Sequence, residues 1–90
     1  MTNEELLIKV KQGIGMTGDY QDDTLLIYID EVKDYMRNAG VPTSIINSNK
    51  SVGAIIRGVM DLWNYGSGDT SLSPYFKERV IQLRAGEIDV

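Results

Sequence analysis

Apolar positions along the chain fall into stretches of helical spacing separated by segments rich in glycine, proline and polar residues. In the first stretch Leu6, Leu7 and Val10 share a side while Lys9 and Lys11 lie on others, the recurrence of a helix that buries one face. Thr2 followed three residues later by Glu5 reads as a capping box: the hydroxyl accepts from the amide of Glu5 and the carboxylate reaches back. Glycines at 13 and 15 make continuation costly, so this helix is expected to end near Gln12. A second helix is expected from Asp22 and Asp23, whose charges suit a helix start, to about Asn38. Leu25, Ile29, Val32 and Met36 form its inner stripe, Leu26 and Tyr28 broaden it, and Glu31, Lys33, Asp34 and Arg37 take the wet side. Gly40 and Pro42 close it.

Val41 to Lys50 reads as a polar loop in which one helical turn buries Ile45 and Ile46. From about Asn49 to Tyr65 the apolar residues Val52, Ile55, Ile56, Val59, Met60, Leu62 and Trp63 are dense enough to predict the most buried helix. Gly53 and Gly58 inside it are best understood as places where another backbone crosses closely. A connector around Gly66 to Asp69 follows. Ser73 as cap and Pro74 at the first helical position then open a last helix, with Phe76, Val80 and Leu83 inward and Lys77, Glu78 and Arg79 outward, ending at Gly86. The expectation is an all-α fold, a small bundle of about four amphipathic helices. It forms one domain over residues 1–86, with a short flexible tail at 87–90. The expected core is Leu25, Ile29, Val32, Ile55, Ile56, Val59, Trp63, Phe76 and Val80.

Composition narrows the chemistry. The 90 residues have 42% hydrophobic and 24% charged side chains, ordinary for a folded domain and unlike a disordered chain. A domain this small has modest stability of its own, so help from partners or oligomerisation is plausible. There is no cysteine and no histidine, which removes disulfides, thiolate nucleophiles, the usual zinc sites and the commonest acid-base side chain near neutral pH. The net charge of -4 and pI near 4.6 disfavour sequence-specific DNA binding, which needs a concentrated positive field. Met1 to Val10 lacks the pattern of an export signal, and the longest apolar runs fall far short of the roughly 20 residues that span a bilayer. A soluble protein made in a cytoplasm is expected, with no membrane partner.

Each chemical motif has a plainer reading. Gly13, Gly15 and Gly18 match G-x-G-x-x-G, but a dinucleotide fingerprint follows a strand, whereas here a helix precedes it. Asp19, Asp22 and Asp23 lack the alternating ligands and closing glutamate of a calcium loop and read as helix capping. Ser44, Ser48, Ser51 and Ser71 have no histidine to activate them, and only a lysine such as Lys50 is conceivable as a base. The reading is therefore no enzyme, no cofactor and no metal. Trp63 continues the buried stripe and is assigned to the core, while Tyr35, Tyr65 and Tyr75 sit at helix ends or flanks where core and partner surface are both open readings.

Taken together, several residues resemble one family. These are Asp22-Asp23 with Leu25-Leu26, the Gly40-Val41-Pro42 stop, Asp61-Leu62-Trp63-Asn64-Tyr65 ending a dense apolar helix, and Leu72-Ser73-Pro74 before a last helix closing in Leu83-Arg84. The pattern is similar to the head-tail connector proteins of tailed bacteriophages and covers roughly Glu4 to Arg84. The resemblance implies a head completion, or adaptor, protein that assembles as a closed ring of about twelve copies under the portal. It would extend the DNA channel and offer a platform to the next connector or tail protein, with the isolated chain either monomer or ring. DNA would pass without sequence-specific binding, and an acidic protein suits such a conduit. Its place would be the virion's head-tail junction. By position, the loop Val41 to Lys50 and the tail are the candidates for ring and portal contacts, which gives Ser44, Ile45, Asn47, Lys50 and Asp89; the flanking rings Tyr35, Tyr65 and Tyr75 complete the candidate interface. The chain departs from the family in having Gly66-Ser67-Gly68 where a basic residue often follows the aromatic, and in its glycine-rich first connector. Two readings from other classes stand beside it: a small helical DNA-binding regulator, for which the central helix offers only Arg57 and Asn64, and an acidic protein-binding inhibitor module that covers a basic partner.

Overall fold

Five α-helices build the protein in the computed structural model, which describes residues 1–66 and 69–85: α1 (Asn3–Ile14), α2 (Asp22–Asn38), α3 (Thr43–Ile46), α4 (Val52–Tyr65) and α5 (Pro74–Ala85). Short 3-10 turns at Asn49–Ser51 and Asp69–Ser71 lead into α4 and α5. Among the described residues there is no strand, and the bundle is all-α. Gly86, Asp89 and the tail at 87–90 lie outside the described residues.

Local chemistry explains each helix end. The Thr2 hydroxyl accepts from the Glu5 amide at 3.1 Å and the Glu5 carboxylate accepts from the Thr2 amide at 2.9 Å, completing the capping box. Helix α1 runs two residues beyond the expected Gln12, because Gly13 continues the helical path and the stop falls at Gly15, whose positive φ of 74° lets its amide turn back to the Lys11 carbonyl. At the end of α2, the Val41 amide reaches the Met36 carbonyl and the Gly40 amide the Arg37 carbonyl, each at 3.0 Å. That six-to-one and five-to-two pairing, with Val41 and Met36 both buried, is a Schellman stop.

Helices α2 and α4 form the centre. Helix α1 packs against both, and α5 packs on α4 and reaches α2 through the Tyr35–Phe76 ring contact, centroids 5.6 Å apart. Ile56 meets α1 at Gly13, whereas Gly58 meets Phe76 of α5 and Val32 of α2. Two residues apart is about 200° around a helix, so α1 and α5 take opposite sides of α4. Gly58 is a true close crossing: a Cβ there would lie 2.8 Å from Phe76 Cε1 and 2.9 Å from Val32 Cγ2. Gly53, expected to serve the same purpose, has no such atom within 4 Å and is not a crossing point.

Leu25, Ile29, Val32, Ile55, Val59, Phe76 and Val80 are buried, with Leu6, Val10, Met36, Leu62 and Leu83 completing the core. Two core expectations are corrected. Ile56 is half-buried at the margin. Trp63 is 36% exposed, because α4 buries the side centred on Ile55, Val59 and Leu62, and the next residue is turned about 100° away from it. Its indole meets Tyr28 edge-on at 6.4 Å, covering the rim of the core. Lys33, expected on the wet side, is buried, its ammonium donating to Asn3 Oδ1 at 2.6 Å. The predicted turn near Ile45 and Ile46 is α3, which buries Ile46 and half-buries Ile45.

Candidate interaction surface

The expected interface residues do not form one patch. Ser44, Ile45, Asn47 and Lys50 cluster at α3 and the 3-10 turn after it, where Ser44, Asn47 and Lys50 are exposed. The other serines of this corner are occupied in its own structure: Ser48 Oγ donates to the Ile45 carbonyl at 2.7 Å, and buried Ser51 Oγ to the Ile46 carbonyl at 2.6 Å. Tyr35 points into the bundle against Phe76 and is half-buried, so it serves the α2–α5 contact. Asp89 lies outside the described residues.

Tyr65 and Tyr75 are exposed at the α4–α5 corner, where the structure brings a charged network together. Asp61, only 2% exposed on α4, accepts from the Ser73 amide at 3.0 Å and pairs with Arg57 Nε at 3.5 Å. Ser73 Oγ in turn accepts from the Phe76 amide at 3.2 Å, capping α5. Arg57 lies over the Tyr75 ring, 5.4 Å from its centroid, a cation–π contact. Beyond Tyr75, an open groove of about 280 Å³ is lined by Glu78, Arg79 and Gln82, with Arg79 donating to Gln82 at 2.9 Å. Its volume is below what encloses a drug-sized ligand.

Among the described residues, five exposed aliphatic and aromatic side chains were not singled out as surface from the sequence: Ile8, Tyr20, Ile27, Trp63 and Ile81. The signal was present for Ile27, which falls midway between Leu25 and Ile29 and so on the side away from the stripe. Ile81, one residue after Val80 and two before Leu83, is turned about 100° and 200° from them, on the outer side of α5.

Among the described residues, two titrating groups are displaced from their ordinary values. Hydrogen bonds from the Thr2 backbone and side chain hold the Glu5 carboxyl below its usual range. Burial, and then the like charge of Arg37, push the Lys33 ammonium down from 10.5, opposed by Asp30. Both belong to helix ends and seams. Among the described residues no group of three acids, cysteines or histidines is placed to hold a metal ion, and no helix is long and apolar enough to cross a membrane. Asp22, the first residue of α2, pairs with Lys11 at 2.8 Å. Comparison of the chain with protein-family models, curated proteins and solved structures gives no match.

Proposed function

We propose that the protein is a structural component of a tailed-bacteriophage virion, a head-tail connector that binds the portal, joins neighbouring copies in a ring and presents a platform to the next connector or tail protein. The reading assigns it no catalytic step and no cofactor. The observation that carries it is the distribution of exposed apolar side chains on a small helical bundle. Ile27 stands out on α2, while Trp63, Tyr65, Tyr75 and Ile81 stand out on α4 and α5. A protein whose surface offers contacts in more than one direction is suited to being one unit in a larger assembly. The buried polar groups agree with this: Asp61, Lys33 and Ser51 are each engaged in holding helix ends or seams, which leaves the described interior without a group poised for chemistry. The resemblance over roughly Glu4 to Arg84 is what favours the connector family.

The test is electron microscopy of particles made by a phage or induced prophage carrying a stop codon in this gene. DNA-filled or leaking heads separate from finished tails are expected. Normal infectious particles would overturn the reading and return attention to the regulator and inhibitor classes.

A further inference from the structure

Charge is unevenly divided between the helices that carry the exposed isoleucines. Helix α2 has five acids against two bases, and α5 has three bases against one acid. On α2, Ile27 is 63% exposed, and Asp23, Asp30 and Asp34, all exposed, stand four residues before, three after and seven after it. These spacings put them on one helix face. On α5, Ile81 is 51% exposed, with Lys77 four residues before it, the exposed acid Glu78 three before and Arg84 three after. Several of these groups are already oriented. Asp30 accepts from Asn3 Nδ2 at 2.8 Å and Asp34 pairs with Arg37 at 2.7 Å. The Arg84 guanidinium reaches the Ala39 carbonyl at 3.5 Å, and its stem lies beside Gly40. Each face thus has an apolar centre with a charged border, net acidic on α2 with Arg37 beside Asp34 and net basic on α5 with Glu78 beside Lys77.

We propose that the α2 face centred on Ile27 docks on the α5 face centred on Ile81 of a second copy of this chain. Opposite borders attract and like borders repel, so acid-on-acid pairing is disfavoured and the contact joins unlike surfaces. Each isoleucine is exposed within its own copy, so the two are matched only between copies. A contact between unlike surfaces runs head to tail and either closes into a ring or continues as a filament. The inference rests on the assembly reading above for the existence of a copy-to-copy contact, and names the surfaces that make it.

The experiment is sedimentation of the full chain across concentration, at low salt and at about 1 M salt, where charge interactions are screened within a few ångströms. Three variants accompany it: Asp23→Lys with Asp34→Lys, Lys77→Glu with Arg84→Glu, and Ile81→Ser, each checked for an unchanged helical spectrum. Self-association of the unaltered chain is expected to weaken at least about tenfold in high salt. Each charge-reversed chain should lose association alone, their equal mixture should regain it, and Ile81→Ser should weaken it at both salt concentrations. A chain that stays monomeric at low salt, reversals that leave association intact, or a mixture that fails to associate would each overturn the contact. The virion experiment is read separately. Salt-sensitive association restored in the mixture, alongside normal particles, keeps this contact and removes the connector. Defective particles with association indifferent to these faces do the reverse.

Discussion

Where α4 crosses α2 and α5, the helices come together because Gly58 has no side chain to hold them apart, and Phe76 and Val32 fill the space a Cβ would need. Along the seam between α1 and α2 the joining is polar instead. Lys33 donates to Asn3, Asn3 to Asp30, and Lys11 to both Asp22 and the Gly18 carbonyl. The first contact depends on shape and tolerates almost no added volume. The second depends on charge and hydrogen bonds at partly wet positions, where each link contributes little alone. A bundle with one tight side and one polar side should therefore respond to mutation unequally.

The largest effect is expected at the tight crossing. Phe76→Ala removes a fully buried ring and should cost about 3 to 5 kcal/mol, enough to unfold most of a domain this small at room temperature. Trp63→Ala, which removes a larger but 36% exposed ring, should cost only about 1 kcal/mol, mostly its edge contact with Tyr28. Chemical denaturation of both variants checks the pair, and equal losses would mean that Trp63 is as much a core residue as Phe76.

Helix α4 also shows how far the fold was legible. The apolar spacing of α2 has one clear stripe, and the positions read from it, Leu25, Ile29 and Val32, are buried. In α4 the apolar residues run nearly all the way round, so spacing locates the helix without choosing its inner side. Trp63 was consequently placed inside, and the buried carboxylate of Asp61 was overlooked. The inner side is set by partners distant in sequence, Ser73 and Phe76 on α5 among them, which no local pattern contains. The same reason applies to the candidate surface. Tyr65 and Tyr75 stood between core and surface in the sequence and are exposed in the fold, and Arg57 stacking on Tyr75 arises only when separate helices are brought together.

Next in size are two tests within α4. Gly58→Ala should destabilise by about 1 to 3 kcal/mol, because the buried Phe76 ring and the stiff Val32 side chain must move. Gly53→Ala, five residues earlier and facing open space, should stabilise by about 0.5 kcal/mol. Thermal unfolding of the two reads a difference in sign, and a matching sign would remove the distinction between a crossing and an open face. Asp61→Ala should cost about 1 to 3 kcal/mol by leaving the Ser73 amide without its acceptor, and Asp61→Asn less, since an amide oxygen can still accept. Equal losses from the two would show that the carboxylate's charge toward Arg57, and not the cap on α5, is what matters.

The polar seam should give smaller changes. Lys11→Met breaks a partly buried ion pair to Asp22 and should cost about 0.5 to 1 kcal/mol, shrinking as salt is raised. A loss as large as that of Gly58→Ala, unchanged by salt, would mean that the seam is held by packing after all.

The smallest effect is also the most specific to the seam. The Lys33 ammonium is buried, and burial followed by the like charge of Arg37 pushes its pKa below the ordinary 10.5. In the window between the lowered folded value and 10.5, the unfolded chain holds this proton more often than the folded one. Stability must therefore rise with pH across that window, and below it the protonated lysine carries the full unfavourable contribution. Lys33→Met keeps the stem that packs in the seam and removes the charge, so it should leave stability at neutral pH unchanged or slightly raised. The quantity to measure is the difference between the two chains in thermal unfolding from neutral pH up to 10.5. A gap between them that narrows as pH rises identifies the buried ammonium as the group responsible. A constant gap would show that Lys33 is solvated in the folded chain, and that the seam tolerates its charge for the same reason it tolerates Lys11: water still reaches it.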